Sequence, residues 1–278
     1  MRRMSQTTPD ASPPRPSVTL VLPAYNEAAR IGSSLDELFG YLQRNGPACD
    51  GGRPASDMGP VDVLVVDDGS TDETAALIET RPEAGGKSPT LTLLRRPHGG
   101  KGAAVRAGIL AAAGEYVLFA DADLATPPDQ LPLLTDALAS HDLALGSRVH
   151  PDGTDRRRTQ PIHRRLLGRI FHGLAAAWVT GPMPDTQCGF KGFRRAAARD
   201  LFEQQQVASI VFDAEVIHLA RRRGYTIAVV PVQWSDKRGS RMRLRAGLAL
   251  RVLLDLARIP IIHRRVRARS GAAREGRC

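Results

Sequence analysis

The chain has 278 residues, 42% of them hydrophobic and 24% charged, which is enough to bury a sizeable core in one large or two small domains. Its three cysteines, Cys49, Cys188 and Cys278, are far apart and form neither a CxxC pair nor a zinc-ligand spacing, so reduced thiols in a cytoplasmic protein are expected. The net charge of +10 sits at one end: from Lys237 onward thirteen Lys and Arg face only Asp255 and Glu275, a local net of +11, and the rest of the chain carries 26 basic against 27 acidic residues.

Residues 1–16 are polar and proline-rich, with no apolar run behind the first arginines, and read as a disordered leader rather than a signal peptide. The run 18–22 is a buried strand ending at Pro23, and a helix is expected over about 27–42, with Ile31, Leu35, Leu38 and Leu42 on one side. Residues 45–60 read as a loop. Strands at 61–66, 91–94, 116–120 and 142–145 alternate with helices at 71–80, 101–113 and 127–139. The second half is less regular: a charged loop at 156–159, a helix from about 163 to 179, a polar turn at 185–191, helices near 195–204 and 213–223, and a strand at 226–232. Strand–helix alternation predicts a parallel, doubly wound α/β sheet with helices on both faces, spanning residues 17–236. Residues 237–278 form a basic, amphipathic C-terminal segment. Its stretch 244–262 is rich in Leu and Ile but broken by Arg245, Arg251, Asp255 and Arg258, which makes a poor membrane span. It reads either as a helix lying in a lipid interface or as a helix packed on the body.

In doubly wound sheets, ligands sit beyond the carboxyl ends of the strands. Three polar clusters fall there: Tyr25-Asn26-Glu27, Asp67-Asp68 and Asp121-Ala122-Asp123. Asp121 and Asp123, one residue apart after a buried strand, can share Mg²⁺ or Mn²⁺, which favour oxygen ligands and keep water and phosphate oxygens as the others. Asp68 either contacts a nucleobase or ribose, or favours the start of the following helix. His98-Gly99-Gly100-Lys101-Gly102 precedes a helix and suits an anion, although it lacks P-loop spacing; an ordinary glycine turn is the competing reading. Arg148 and the arginines at 156–158, 164 and 165 offer planar forks for phosphate. No Ser/His/Asp nucleophile arrangement stands out.

Taken together, Pro23-Ala24-Tyr25-Asn26-Glu27, Val65-Val66-Asp67-Asp68-Gly69-Ser70 and Asp121-Ala122-Asp123 resemble the family 2 glycosyltransferases of the GT-A fold. Lys101-Gly102-Ala103-Ala104-Val105-Arg106, the extension Leu124-Ala125-Thr126-Pro127, Gly146-Ser147-Arg148, Asp185-Thr186-Gln187-Cys188-Gly189-Phe190-Lys191, Phe212-Asp213-Ala214-Glu215 and Val232-Gln233-Trp234 narrow the resemblance. They point to dolichyl-phosphate β-glucosyltransferases and bacterial polyprenyl-phosphate relatives, over residues of about 18 to 260. The resemblance implies an inverting transfer of glucose from UDP-glucose to a polyprenyl phosphate, with Mg²⁺ or Mn²⁺ at Asp121 and Asp123. It implies that Pro23, Tyr25, Glu27 and Asp68 line the nucleotide, with Lys101 and Asp121 at the diphosphate. Asp185, Gln187 and Lys191 would lie near the sugar, Asp185 as its positioning group or base, and Arg148 and Arg164 would face the acceptor phosphate. Ala125 stands where mannose synthases often carry Gln, which favours the glucosyl branch. The N-terminal membrane helix of the eukaryotic relatives has no counterpart here, so attachment to an anionic membrane surface, at its cytoplasmic face, would rest on the basic C-terminal segment; nucleic acid is not an expected partner. A GDP-mannose-dependent synthase and a transferase with a non-lipid acceptor are the alternatives.

Overall fold

The computed structural model describes residues 15–45, 58–86, 89–152, 155, 173–235 and 246–269. The expected leader, the charged loop at 156–159, Arg164 and most of the expected 163–179 helix lie outside them, as do residues 237–245 and 270–278 of the C-terminal segment.

Strand β1 (Val18–Ala24) is followed by α1 (Ile31–Asn45), β2 (Val61–Asp67), α2 (Thr74–Glu79), β3 (Leu91–Arg95), α3 (Lys101–Ala111), β4 (Tyr116–Ala120), α4 (Leu131–Leu138) and β5 (Leu143–Ser147). Then come β6 (Phe190–Arg194), α5 (Arg195–Gln204), α6 (Phe212–Arg223), β7 (Ile227–Pro231) and α7 (Ala246–Ile262). The seven strands form one sheet in the order β3-β2-β1-β4-β6-β5-β7. β1 pairs in parallel with β2 and β4, β2 with β3, and β5 with β7.

Side chains alternate between the faces of a strand, and β1 uses both. Leu20 and Leu22 pack with Ile31, Leu35 and Leu38 of α1, all 0–1% exposed. Val21 joins Val66, Phe119, Val105 of α3, Phe193 and Phe202 on the other face. Burying each such side chain stabilises the fold by about 1.5–3 kcal/mol. This two-sided core fixes the strand ends, and the candidate site is built on those ends.

Two differences from the sequence reading matter. The turn expected over 185–191 gives way at Phe190 to β6, which runs antiparallel between β4 and β5. Its register sets Phe190 against Ala120 and Lys191 against Phe119, which brings Gly189 beside Asp121. The first helix starts at Ile31 rather than 27, because residues 26 and 27 are tied to the β2 loop instead. Asn26 takes a φ of 53° and donates its N–H to Ser70 Oγ at 2.9 Å; the Glu27 N–H goes to Thr74 Oγ1 at 2.8 Å.

Candidate active site at the carboxyl edge of the sheet

Chain direction puts the ends of β1, β2 and β4 side by side, and with them the three acidic clusters. After β4 the chain turns sharply. The Leu124 N–H bonds back to the Asp121 carbonyl at 2.9 Å, with Leu124 at a φ of 48°, an uncommon conformation for a branched side chain. The Asp121 N–H donates to the Gly189 carbonyl at 3.0 Å. A Cβ at Gly189 would stand 2.6 Å from Asp121 Oδ1 and nearer still to Oδ2, so only glycine lets the carboxylate lie there. Asp123 is held by a bond from the Ala125 N–H to Oδ1 at 3.1 Å. Its carboxyl pKa is raised, first by burial and then by the negative charge of Asp121. The two acids therefore feel one another, as carboxylates sharing a site do.

Lys101, the first residue of α3, places its ammonium on Asp121 Oδ1. Burial alone would lower its pKa, but Asp121 and then Asp213 more than offset this and keep it charged. Asp213, in the first turn of α6, is buried; burial raises its pKa, against the pull of Lys191 and Lys101. Lys191 Nζ donates to Asp213 Oδ1 at 2.7 Å and lies 5.5 Å from the centre of the Phe119 ring. Beside Asp123, acids and cations thus alternate from Asp121 through Lys101 and Asp213 to Lys191.

Asp68 is 2% exposed and organises the loop before α3. Its carboxylate accepts from the backbone N–H of Gly99 at 3.1 Å and of Gly100 at 2.8 Å, and pairs with Arg96 and with His98 Nδ1. Gly100 sits at a φ of 96°, with Ala208 O 2.8 Å from where a Cβ would be. The His98 ring stacks on Tyr25, their centres 4.2 Å apart, and Tyr25 leaves 43% of its surface exposed. Pro23 lies in β1 opposite Val66. Glu27 grips Arg30 through two bonds, from Nε at 2.8 Å and Nη2 at 2.7 Å.

On the other side of Asp121, Arg148 and Asp185 hold each other. Arg148 Nε donates to Oδ2 at 2.7 Å, Nη2 to Oδ1 at 2.8 Å, and the Arg148 backbone N–H also reaches Oδ2. Burial opposes the charge on Arg148, but the Asp185 carboxylate holds its pKa above the usual arginine value. The guanidinium lies 5.5 Å from the Trp234 ring centre. The Gln187 N–H also bonds to Asp185 at 3.2 Å, whereas Gln187 Nε2 and Thr186 Oγ1 are buried without a partner among the described residues. Burial pushes the Cys188 thiol up to about 12.

Every named candidate except Arg164, which lies outside the described residues, falls on this edge. Gly189, Arg96 and Asp213, each in contact with a named candidate, were missed by the sequence reading as site residues. Gly189 and Asp213 lie inside motifs that carried the resemblance, which was the signal available; Arg96 looks like an ordinary surface charge in the sequence.

Among the described residues, no group of three or more His, Cys, Asp or Glu could cage a metal. A pair of mutually repelling carboxylates is still what a hard divalent cation needs when phosphate and water complete its shell, so the donor set fits Mg²⁺ or Mn²⁺.

The sheet order, the acid pair after β4 and the ordered loop before α3 define a glycosyltransferase of the GT-A fold. A family model described as glycosyl transferase family 2 matches residues 19–202, and the chain belongs to that family. It is 37% identical over 260 residues to dolichyl-phosphate beta-glucosyltransferase ALG5C of Trichomonas vaginalis, covering 91% of this chain and 73% of that protein. It is 35% identical to the dolichyl-phosphate beta-glucosyltransferase of Drosophila melanogaster and 32% to that of Homo sapiens, each over 82% of this chain and 70% of the relative. In fold, it is similar to glucosyl-3-phosphoglycerate synthase from Mycobacterium tuberculosis in complex with UDP, with a TM-score of 0.58 at 20% identity, over 88% of this chain and 80% of that one. The same enzyme with Mn²⁺ and UDP-glucose gives 0.54 at 21% identity, over the same shares.

Proposed function

We propose that this protein transfers glucose from UDP-glucose to a dolichyl-type polyprenyl phosphate, with inversion, at the cytoplasmic face of a membrane. The observation that carries the reading is the Asp121–Asp123 pair, flanked by Lys101, on the sheet edge of a chain so similar to proteins named for this reaction.

The chemistry asks little of the protein beyond position and charge. A lipid phosphate has a second pKa of about 6, by analogy with phosphoamino acids, and is anionic at neutral pH. Its oxygen attacks the anomeric carbon, the bond from that carbon to the diphosphate oxygen breaks, and UDP departs with the electron pair. No base has to remove a proton. This agrees with the state of Asp185, whose carboxylate is taken up by Arg148 and the Gln187 N–H. Asp185 is accordingly a positioning residue: it holds the Nε and Nη2 edge of Arg148 and so aims the rest of the guanidinium at the acceptor phosphate. Lys101 offers its charge to the donor diphosphate, and Asp68 fixes the loop before α3 on the nucleotide side by taking the N–H groups of Gly99 and Gly100. Bound at Asp121 and Asp123, a divalent cation would supply Lewis-acid charge to the leaving diphosphate. Gln187 Nε2, buried and unpartnered, suits a sugar hydroxyl.

The C-terminal segment supports the membrane part. In α7, Leu256 and Ile259 pack on Val207, Val211 and Ala214, and just beyond it His263 Nε2 meets the buried Glu215 at 2.6 Å. The opposite face leaves Leu253, Leu254 and Ile261 46–60% exposed, and Trp178, 62% exposed, is tied to it through the Ala257 carbonyl. Arg251, Arg258, Arg264 and Arg265 of the same segment are exposed too. Exposed apolar side chains and arginines on one segment suit insertion into anionic lipid. No helix among the described residues is long and apolar enough to cross a membrane.

A panel of labelled nucleotide-hexoses tests the reading. Purified protein with Mn²⁺ and polyprenyl phosphate should label the lipid from UDP-glucose and lose that label with EDTA. Labelling from GDP-mannose instead would replace the donor assignment, and transfer only to soluble acceptors would replace the lipid.

A further inference from the structure

We propose that Trp234 is a positioning residue of the acceptor site, its indole ring backing the Arg148 guanidinium so that the edge left free by Asp185 is held toward the acceptor phosphate. The inference rests on the acceptor reading above and gives a role to a side chain whose motif carried only the resemblance.

Arg148 follows the last residue of β5 and is held from two directions. The Asp185 carboxylate takes Nε and Nη2. The guanidinium carbon stands over the Trp234 ring, 5.5 Å from its centre. Nη1 bonds to no protein atom among the described residues, and the Arg148 side chain keeps 13% of its surface exposed, so this edge is reachable.

The ring is fixed where it stands, because the backbone on both sides of it is anchored. The Val232 N–H donates to the Ser147 carbonyl at 2.9 Å, one residue before Arg148. The Gln233 N–H donates to Gln130 Oε1 at 3.1 Å, and the Ser235 N–H to the Ala125 carbonyl at 2.9 Å. The Ala125 N–H in turn bonds to Asp123 Oδ1. Residues 232–235 therefore strap the end of β5 to the turn that carries the acid pair, with Trp234 between the two anchor points.

An aromatic ring suits this place for a physical reason. The negative face of an indole attracts a cation without neutralising it, as a second carboxylate would. Asp185 already offsets much of the Arg148 charge. A ring on another side restrains the guanidinium and keeps water from it, and leaves the remaining charge for an anion. Charge-assisted bonds from such a fixed, shielded donor are stronger than those from a mobile, solvated one.

The test is calorimetric titration of farnesyl phosphate, a short soluble polyprenyl phosphate, and of UDP, both with Mn²⁺. Wild type, Trp234→Phe, Trp234→Leu, Arg148→Gln and the variant carrying both Arg148→Gln and Trp234→Leu are compared, with melting curves for each. Trp234→Leu should weaken farnesyl phosphate about tenfold, leave UDP within about twofold of wild type and raise the KM for polyprenyl phosphate but not for UDP-glucose. Trp234→Phe should recover most of the loss, and Trp234→Leu should add none in the Arg148→Gln background. Unchanged farnesyl phosphate affinity in Trp234→Leu overturns the inference, as does a Phe variant no better than Leu. An equal loss for UDP, or early melting of both Trp234 variants, would make the ring only a prop for the strap. Losses that add in the combined variant would show that the ring does not act through Arg148. Wild-type protein that binds UDP but no farnesyl phosphate, or an Arg148→Gln variant that binds it normally, would bring down the acceptor reading itself, and this inference with it.

Discussion

The added methyl of a Gly189→Ala variant would lie 2.6 Å from Asp121 Oδ1, whereas ordinary contact begins at 3.4 Å. The carboxylate must then retreat by about 0.8 Å or more, and further for Oδ2, which lies closer. Gly189 is not among the glycines of positive φ, so alanine suits its backbone, and the three nearest atoms its methyl would meet all belong to the Asp121 carboxylate. A misplacement of about 1 Å in a positioned group costs on the order of 10²-fold in rate, or about 2.7 kcal/mol of transition-state stabilisation. The variant should therefore lose about 100-fold in kcat with UDP-glucose at saturating Mn²⁺. Its Tm should stay within about 3 °C of wild type, because the core on either side of β6 is untouched. Steady-state kinetics and calorimetric melting on the same preparation decide the matter. A kcat within about threefold of wild type would show that the seat of Asp121 against residue 189 does not govern the reaction. Loss of activity together with early melting would refute the claim of a local clash.

Three further outcomes are expected. His263→Ala removes the side-chain partner of the buried Glu215, whose carboxylate keeps only the N–H groups of Gln206 and Val207, a change that costs about 1–3 kcal/mol and should lower the Tm by about 2 °C or more; an unchanged melting curve would mean that the C-terminal segment is not docked as described. Cys188 forms its reactive thiolate only as pH nears about 12, so mass spectrometry should find its peptide unlabelled after iodoacetamide at pH 8 on native protein and labelled after denaturation; rapid native labelling would contradict the burial. Leu254→Ser with Ile261→Ser should weaken sedimentation with phosphatidylserine vesicles by about tenfold while leaving the Tm nearly unchanged, since both side chains face outward; equal sedimentation would remove this face from the account.

The half of the fold up to β5 was legible because its strands are short apolar runs punctuated by Gly, Pro and Asp, and its helices carry clear apolar stripes. The strand ends were legible for the same reason, and with them Asp68, Asp121 and Asp123. What the sequence hides is pairing at a distance. The stretch from Phe190 to Arg194 looks like the continuation of a polar turn, since Lys191 and Gly192 interrupt it. Lys191 can be buried because Asp213, on a different element, and the Cys188 carbonyl meet it. Asp185 and Arg148, separated by 37 residues, look like independent site residues, and only the structure shows that each satisfies the other. The C-terminal helix allowed two readings because its apolar residues fall on more than one side, and the structure packs one of those sides on the body and leaves the other bare.

The central claim is that Asp121 and Asp123 together carry a divalent ion onto the nucleotide diphosphate. Electron–nuclear double resonance on Mn²⁺ with UDP and this protein measures it directly. Wild type should show ³¹P coupling from UDP phosphate to protein-bound Mn²⁺, and Asp121→Asn and Asp123→Asn should each abolish the bound-Mn²⁺ signal or weaken it severely. Bound Mn²⁺ with the same ³¹P coupling in the double variant would place the ion elsewhere and contradict the account.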